Sequence, residues 1–142
     1  MGALKLNESI EITRKAFDHG CELGAAPLTV AVLDAGGKLV SLQRQDGSSM
    51  LRPDVATAKA WGALAMGKSS RALADDAAQR PAFVSALNTL AHGNLVPVPG
   101  GVLVLDNERQ VVGAVGISGD TSDIDELCAI AGIRGAGLYC DA

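Results

Sequence analysis

The sequence predicts an α+β domain in which an antiparallel sheet, built from two hairpins, carries helices on its faces. Two apolar segments, residues 28–33 and 102–105, each run into a polar turn followed by a second strand-like segment, and helical stretches flank both pairs. A chain of 142 residues without a linker, repeat or low-complexity run fits one domain spanning residues 1–142.

The elements follow in order. Asn7 is expected to cap a first helix with Ile10, Ala16, Phe17 and Cys21 on its apolar side, and Gly24 ends it ahead of Pro27. Residues 28–33 then read as a strand, Asp34-Ala35-Gly36-Gly37 as a turn, and residues 38–43 as its alternating partner. Pro53 suits the first turn of an Ala-rich helix running through Trp61 to about Met66, whose small residues imply tight packing. Ser70 opens a short helix, Pro81 begins another through Phe83, Leu87 and Leu90, and Gly93 closes that region. Val102 to Leu105 form a third strand, Asp106-Asn107-Glu108-Arg109 a polar turn, and residues 110–118 the fourth strand. Thr121 or Ser122 caps the last helix, Ser122 and Asp125 have the spacing of an acidic capping box, and Gly132 is expected to stop it.

Composition excludes several function classes. Twelve Lys and Arg against sixteen Asp and Glu leave a net charge of −4, which repels a phosphate backbone, so nucleic acid is not an expected partner. No apolar run reaches the length of a membrane span, and the first residues lack a basic segment followed by an apolar one, so a soluble, unexported protein is expected. Cys21, Cys128 and Cys140 are odd in number and share no metal-ligand spacing, which fits a reducing, cytoplasmic setting and gives no firm metal site. Phe17, Trp61, Phe83 and Tyr139 are the only aromatics, and a core of small residues leaves part of the stability to homo-oligomer formation.

The segments 30–40, Arg44-Gln45-Asp46-Gly47, Ala58-Lys59-Ala60, Pro99-Gly100-Gly101-Val102, the run 113–119 with Asp125, and Ala131-Gly132-Ile133 stand in the order and spacing of the GlcG/HbpS-like family. The resemblance spans nearly the whole chain and extends to the C-terminal domain of PduO-type adenosyltransferases. It implies a profilin-like fold, homo-oligomeric assembly, and haem binding or haem-linked redox behaviour, in a protein accessory to a catabolic or redox pathway. Asp120 departs from the pattern, standing where the family usually has a third small residue after Ser118-Gly119.

Candidate functional residues follow from both readings. Lys59, amid Ala56, Ala58, Ala60 and Ala63, needs a carboxylate if buried, and Asp46 or Asp125 can supply it. Lys59, Asp46, Ser118, Gly119 and the Pro99-Gly100-Gly101 loop are expected to shape a site for a small carboxylate-bearing ligand, with Arg44 as a further anion contact. His19 and His92 are the only histidines, hence the only imidazole ligands available to haem iron, with Cys21 a softer alternative. The alternative function is a small cofactor-independent enzyme acting on an aromatic or organic acid, with Asp125 or His92 as base. Gly113, Gly116 and Gly119 match a dinucleotide fingerprint poorly, and close packing of strands explains them better. Asp123 and Glu126 suit the first turn of a helix on dipole grounds alone.

Overall fold

The computed structural model describes residues 2–141. Among these, α1 (Leu6–Leu23), β1 (Thr29–Asp34), β2 (Leu39–Arg44), α2 (Arg52–Met66), α3 (Ser70–Gln79), α4 (Pro81–Leu90), β3 (Gly101–Leu105), β4 (Val111–Ser118), α5 (Ser122–Gly135) and β5 (Tyr139–Cys140) follow one another along the chain. The strands form one antiparallel sheet in the order β2-β1-β4-β3-β5. The two predicted hairpins therefore lie side by side, joined where β1 pairs with β4 from Thr29↔Ser118 to Asp34↔Gly113.

Alternation along the strands divides the core between the two faces. Val30, Val32, Val102, Val104, Val115 and Ile117 pack against Ile12 and Ala16 of α1 and Cys128, Ala129 and Ile133 of α5. Leu33, Leu103, Leu105 and Ala114 face the other way, onto Ala60 and Ala63 of α2. A third cluster of Leu73, Val84 and Leu95, with Trp61 against it, attaches α3 and α4 to the outer side of α2.

Glycine sets how closely the helices approach. A Cβ at Gly116 would sit 1.8 Å from the Ala56 carbonyl oxygen, and one at Gly101 would sit 2.1 Å from that of Lys59, so α2 rests with its backbone directly on β3 and β4. This close packing accounts for the Ala-rich face of α2 and for Gly116 without any bound nucleotide.

Three local expectations are corrected, and one strand is added. Asn7 is not the cap of α1: the helix starts at Leu6, and the Lys5 N–H donates to Glu8 Oε1 at 2.9 Å. Gly132 does not stop α5, which runs to Gly135. A Cβ there would lie 2.5 Å from the Ile12 carbonyl oxygen, so this glycine lets α5 cross α1. Of the two expected caps of α5 the structure uses Thr121, its Oγ1 accepting from the Ile124 N–H, and the Asp125 carboxylate serves the Asp120 N–H and Lys59 in place of the expected capping box with Ser122. The short β5 strand escaped the sequence reading because two residues carry no periodicity; it adds to β3 through Val104↔Cys140 and Leu105↔Tyr139. No described helix is long and apolar enough to cross a membrane.

Candidate functional site

The tight seating of α2 sends the Lys59 side chain into the sheet, towards the end of β4. Its Nζ donates to the Ile117 carbonyl at 2.9 Å and to Asp125 Oδ2 at 3.1 Å. Asp125 Oδ1 accepts the Asp120 N–H at 3.0 Å. The side chains of Lys59 and Asp125 are 3% and 1% exposed, so this is an ion pair sealed from solvent. Asp125, of the two partners the sequence offered, is the one used. Gly100 has φ of 124°, and a Cβ on it would approach Lys59 Nζ to 2.8 Å; the loop must carry glycine to close over the ammonium.

Burial pushes the Asp125 carboxyl above its ordinary range, against the opposing pull of the Asp120 N–H and of Lys59. Burial likewise pulls the Lys59 ammonium down, opposed by Asp125. Desolvation outweighs mutual attraction for both partners.

Around this pair the structure gathers most of the predicted ligand residues. The Gly100 carbonyl accepts the Ile117 N–H at 3.0 Å, and the Gly101 N–H donates to Ser70 Oγ at 2.8 Å. Ser118 is fully buried, its Oγ accepting from Arg52 Nη1 at 3.0 Å. Gly119 lies so close to the 27–28 segment that a Cβ would come within 2.2 Å of the Pro27 carbonyl. Lys59, Gly100, Gly101, Ser118 and Asp125 line neither the groove beside Arg44, nor the hollow beside Trp61, nor the hollow between residues 2–8 and 137–139. What they do together is tie α2, α5, the 99–101 loop and the end of β4 to one another. Asp123 and Glu126 both bind Arg71, which joins α3 to α5.

Arg44 and Asp46 stand apart from that cluster. With Gln45 they form one wall of an open groove of about 590 Å³ at the C-terminal end of α1. Gly20, Cys21, Ala25, Ala26, Pro27 and Leu28 complete it. The groove thus offers small apolar surface, a cation and a carboxylate on one side, and the exposed Cys21 thiol on the other. His19 is half-buried on the same helix, but two residues separate it from Cys21 by about 200° around the axis, so the two side chains leave α1 on opposite sides.

His92 is exposed and left-handed, with φ of 56°, in the loop after α4. Its neighbours Gly93 and Asn94 border a separate hollow of about 470 Å³ beside Trp61 and Val55. Pro99 is half-buried at the mouth of the loop that covers Lys59. Among the described residues no group of three or more His, Cys, Asp or Glu side chains is placed to hold a metal ion.

Three residues that matter here carried weak signals. Arg52 and Ser70 are ordinary helix-start residues until the fold sets them against Ser118 and Gly101. Asp120 was visible only as a departure from the family pattern; its Oδ2 accepts the Ala26 N–H at 2.7 Å across 94 positions of sequence.

A family model described as haem-degrading protein, HbpS-like, matches residues 4–134. The chain belongs to the HbpS-like family. A relative, an uncharacterised 15.0 kDa protein from the dhaT-dhaS intergenic region of Citrobacter freundii, is 32% identical over 103 residues, covering 72% of this chain and 71% of that one. The corrinoid adenosyltransferase PduO of Salmonella typhimurium is 28% identical over 123 residues, which are 87% of this chain but 36% of that enzyme. Among solved structures, the PduOC:heme complex superposes with a TM-score of 0.87 at 25% identity, covering 97% of this chain and 98% of the other. The α+β reading and the family resemblance agree with these findings.

Proposed function

We propose that this HbpS-like chain binds haem in the groove at the C-terminal end of α1, as an accessory protein of a catabolic or redox pathway. The observation that carries the reading is the composition of the groove: the Cys21 thiol and the Arg44 guanidinium border one hollow whose other surfaces are Ala25, Ala26, Pro27 and Leu28. A soft donor for iron, an apolar wall for a macrocycle and a cation for a propionate are the groups that haem needs. The likeness to a protein crystallised with haem supports the same choice of ligand. Haem, when bound, supplies the iron-centred redox chemistry. The protein's part would be to hold it: Cys21 would offer the thiol as a donor to iron, Arg44 would pair with a propionate, and the 25–28 segment would shield the macrocycle from water.

Titrating the protein with haemin tests this directly. The expected result is a saturable Soret shift at one haemin per chain, weakened by Arg44→Ala and moved in wavelength by Cys21→Ser, with His92→Ala unchanged. Unchanged spectra and affinity in both groove variants would refute the assignment, and a Soret shift lost only in His19→Ala would move the ligand to the other side of α1. Self-association belongs to the same reading: Leu39 on edge strand β2 is 55% exposed, and light scattering that returned the mass of one chain would count against it.

A further inference from the structure

The groove wall formed by Ala26, Pro27 and Leu28 has an unusual means of support. Pro27 has no N–H, and the other two backbone donors both go to side chains from distant parts of the chain. Leu28 N–H donates to Gln45 Oε1 at 2.7 Å, and Ala26 N–H donates to Asp120 Oδ2 at 2.7 Å. The wall is therefore slung between the end of β2 and the turn before α5.

Asp120 is itself fixed from two directions. Its Oδ1 accepts the Thr121 N–H at 2.7 Å, and its own N–H donates to Asp125 Oδ1 at 3.0 Å. Because Asp125 Oδ2 holds Lys59 Nζ, a continuous chain of hydrogen bonds runs from the core ion pair through Asp120 to the groove wall. The N–H groups of Ala26 and Thr121 keep the Asp120 carboxyl below its ordinary range, as expected of a carboxylate that accepts twice from backbone. Gly119, packed on the Pro27 carbonyl, presses the same turn against the same segment.

We infer that Asp120 is a positioning residue for the ligand groove: its carboxylate sets the 25–28 wall, and through the wall the affinity for haem. This deepens the proposed function and rests on it. Asp120 does not border the groove, so its effect on affinity passes through the wall it holds.

Two measurements on the full chain test the inference together. Without ligand, Asp120→Ala should speed hydrogen exchange at the Ala26 amide about tenfold, while the Leu28 amide, held by Gln45, stays near its original rate. With haemin as the probe, the same variant should bind about three- to tenfold more weakly, because the wall is no longer preorganised. Asp120→Asn, which keeps both side-chain positions but one strong acceptor, should fall between the two. Unchanged exchange at Ala26, or faster exchange with unchanged haemin affinity, would overturn the inference while leaving the proposed function standing. Failure of the unsubstituted protein to bind haemin would overturn the proposed function and this inference with it. Asp120→Ala should still unfold as cooperatively as the parent, and a general loss of amide protection would show a merely structural role and overturn the inference.

Discussion

Replacing Lys59 by Met removes an ammonium and leaves an apolar side chain of similar length in its place. Asp125 then stays behind, 1% exposed, with only the backbone N–H groups of Asp120 and Gly119 to meet its charge. A buried pair broken on one side costs about 3–5 kcal/mol. The structure also sets an upper bound, because Asp125 has an escape: it can take a proton. From its ordinary value of 3.8, holding a proton at pH 7 costs about 4 kcal/mol at 1.36 kcal/mol per pH unit. At pH 5 the same proton costs only about 2 kcal/mol. The sign follows: in the variant the folded state binds one more proton than the unfolded chain, so its stability falls as pH rises above 3.8. Urea denaturation at the two pH values should therefore show Lys59→Met destabilised by about 4 kcal/mol at pH 7 and about 2 kcal/mol at pH 5. Lys59→Met with Asp125→Asn, which retains an acceptor for the Asp120 N–H and carries no charge, should lose the pH dependence. A penalty below about 1 kcal/mol, or one that is equal at both pH values, would refute the account of a sealed ion pair.

Gly116→Ala places a methyl group within 1.8 Å of the Ala56 carbonyl oxygen, so α2 must lift from the sheet, and a thermal melt should drop by about 10 °C or the variant should fail to fold. The Cys128 thiol is pushed up to about 11 by burial and by the nearby Asp125 and Asp120 charges, whereas Cys21 is exposed. Alkylation of the native protein at pH 8 followed by mass spectrometry should label Cys21 and spare Cys128 until denaturant is added. Asp141 accepts from the Ser69 N–H at 2.9 Å and from the Leu103 N–H at 3.1 Å, tying the start of α3 to β3. Asp141→Ala should cost about 1 kcal/mol, read as a small shift in the thermal midpoint together with faster exchange at the Ser69 amide.

Local chemistry determined much of this protein. The apolar runs that became β1 and β3, the alternation of β2, the Asp34 and Asp106 turns, the left-handed Gly24 helix end and the prolines at helix starts are short-range features, and they made the two hairpins and the helices legible. The same holds for Lys59: a buried ammonium on an Ala-rich face demands a carboxylate wherever the chain folds.

Which carboxylate answers it, Asp46 or Asp125, was beyond the sequence, because Asp125 lies 66 positions from Lys59 and meets it only in the sheet that the pairing of β1 with β4 completes. That pairing also separates Arg44 and Asp46 from Lys59 and Ser118, dividing one expected site into a sealed ion pair and an open groove. The stop expected at Gly132 fails for a related reason: a glycine that ends a helix and one that lets two helices touch are the same residue in sequence, and the difference lies in the Ile12 carbonyl 2.5 Å from where a Cβ would be. Sequence specified the local conformations, whose energies depend on near neighbours. The tertiary structure alone decided which distant backbone and charged groups meet, since those contacts exist only once the sheet has set its strand order.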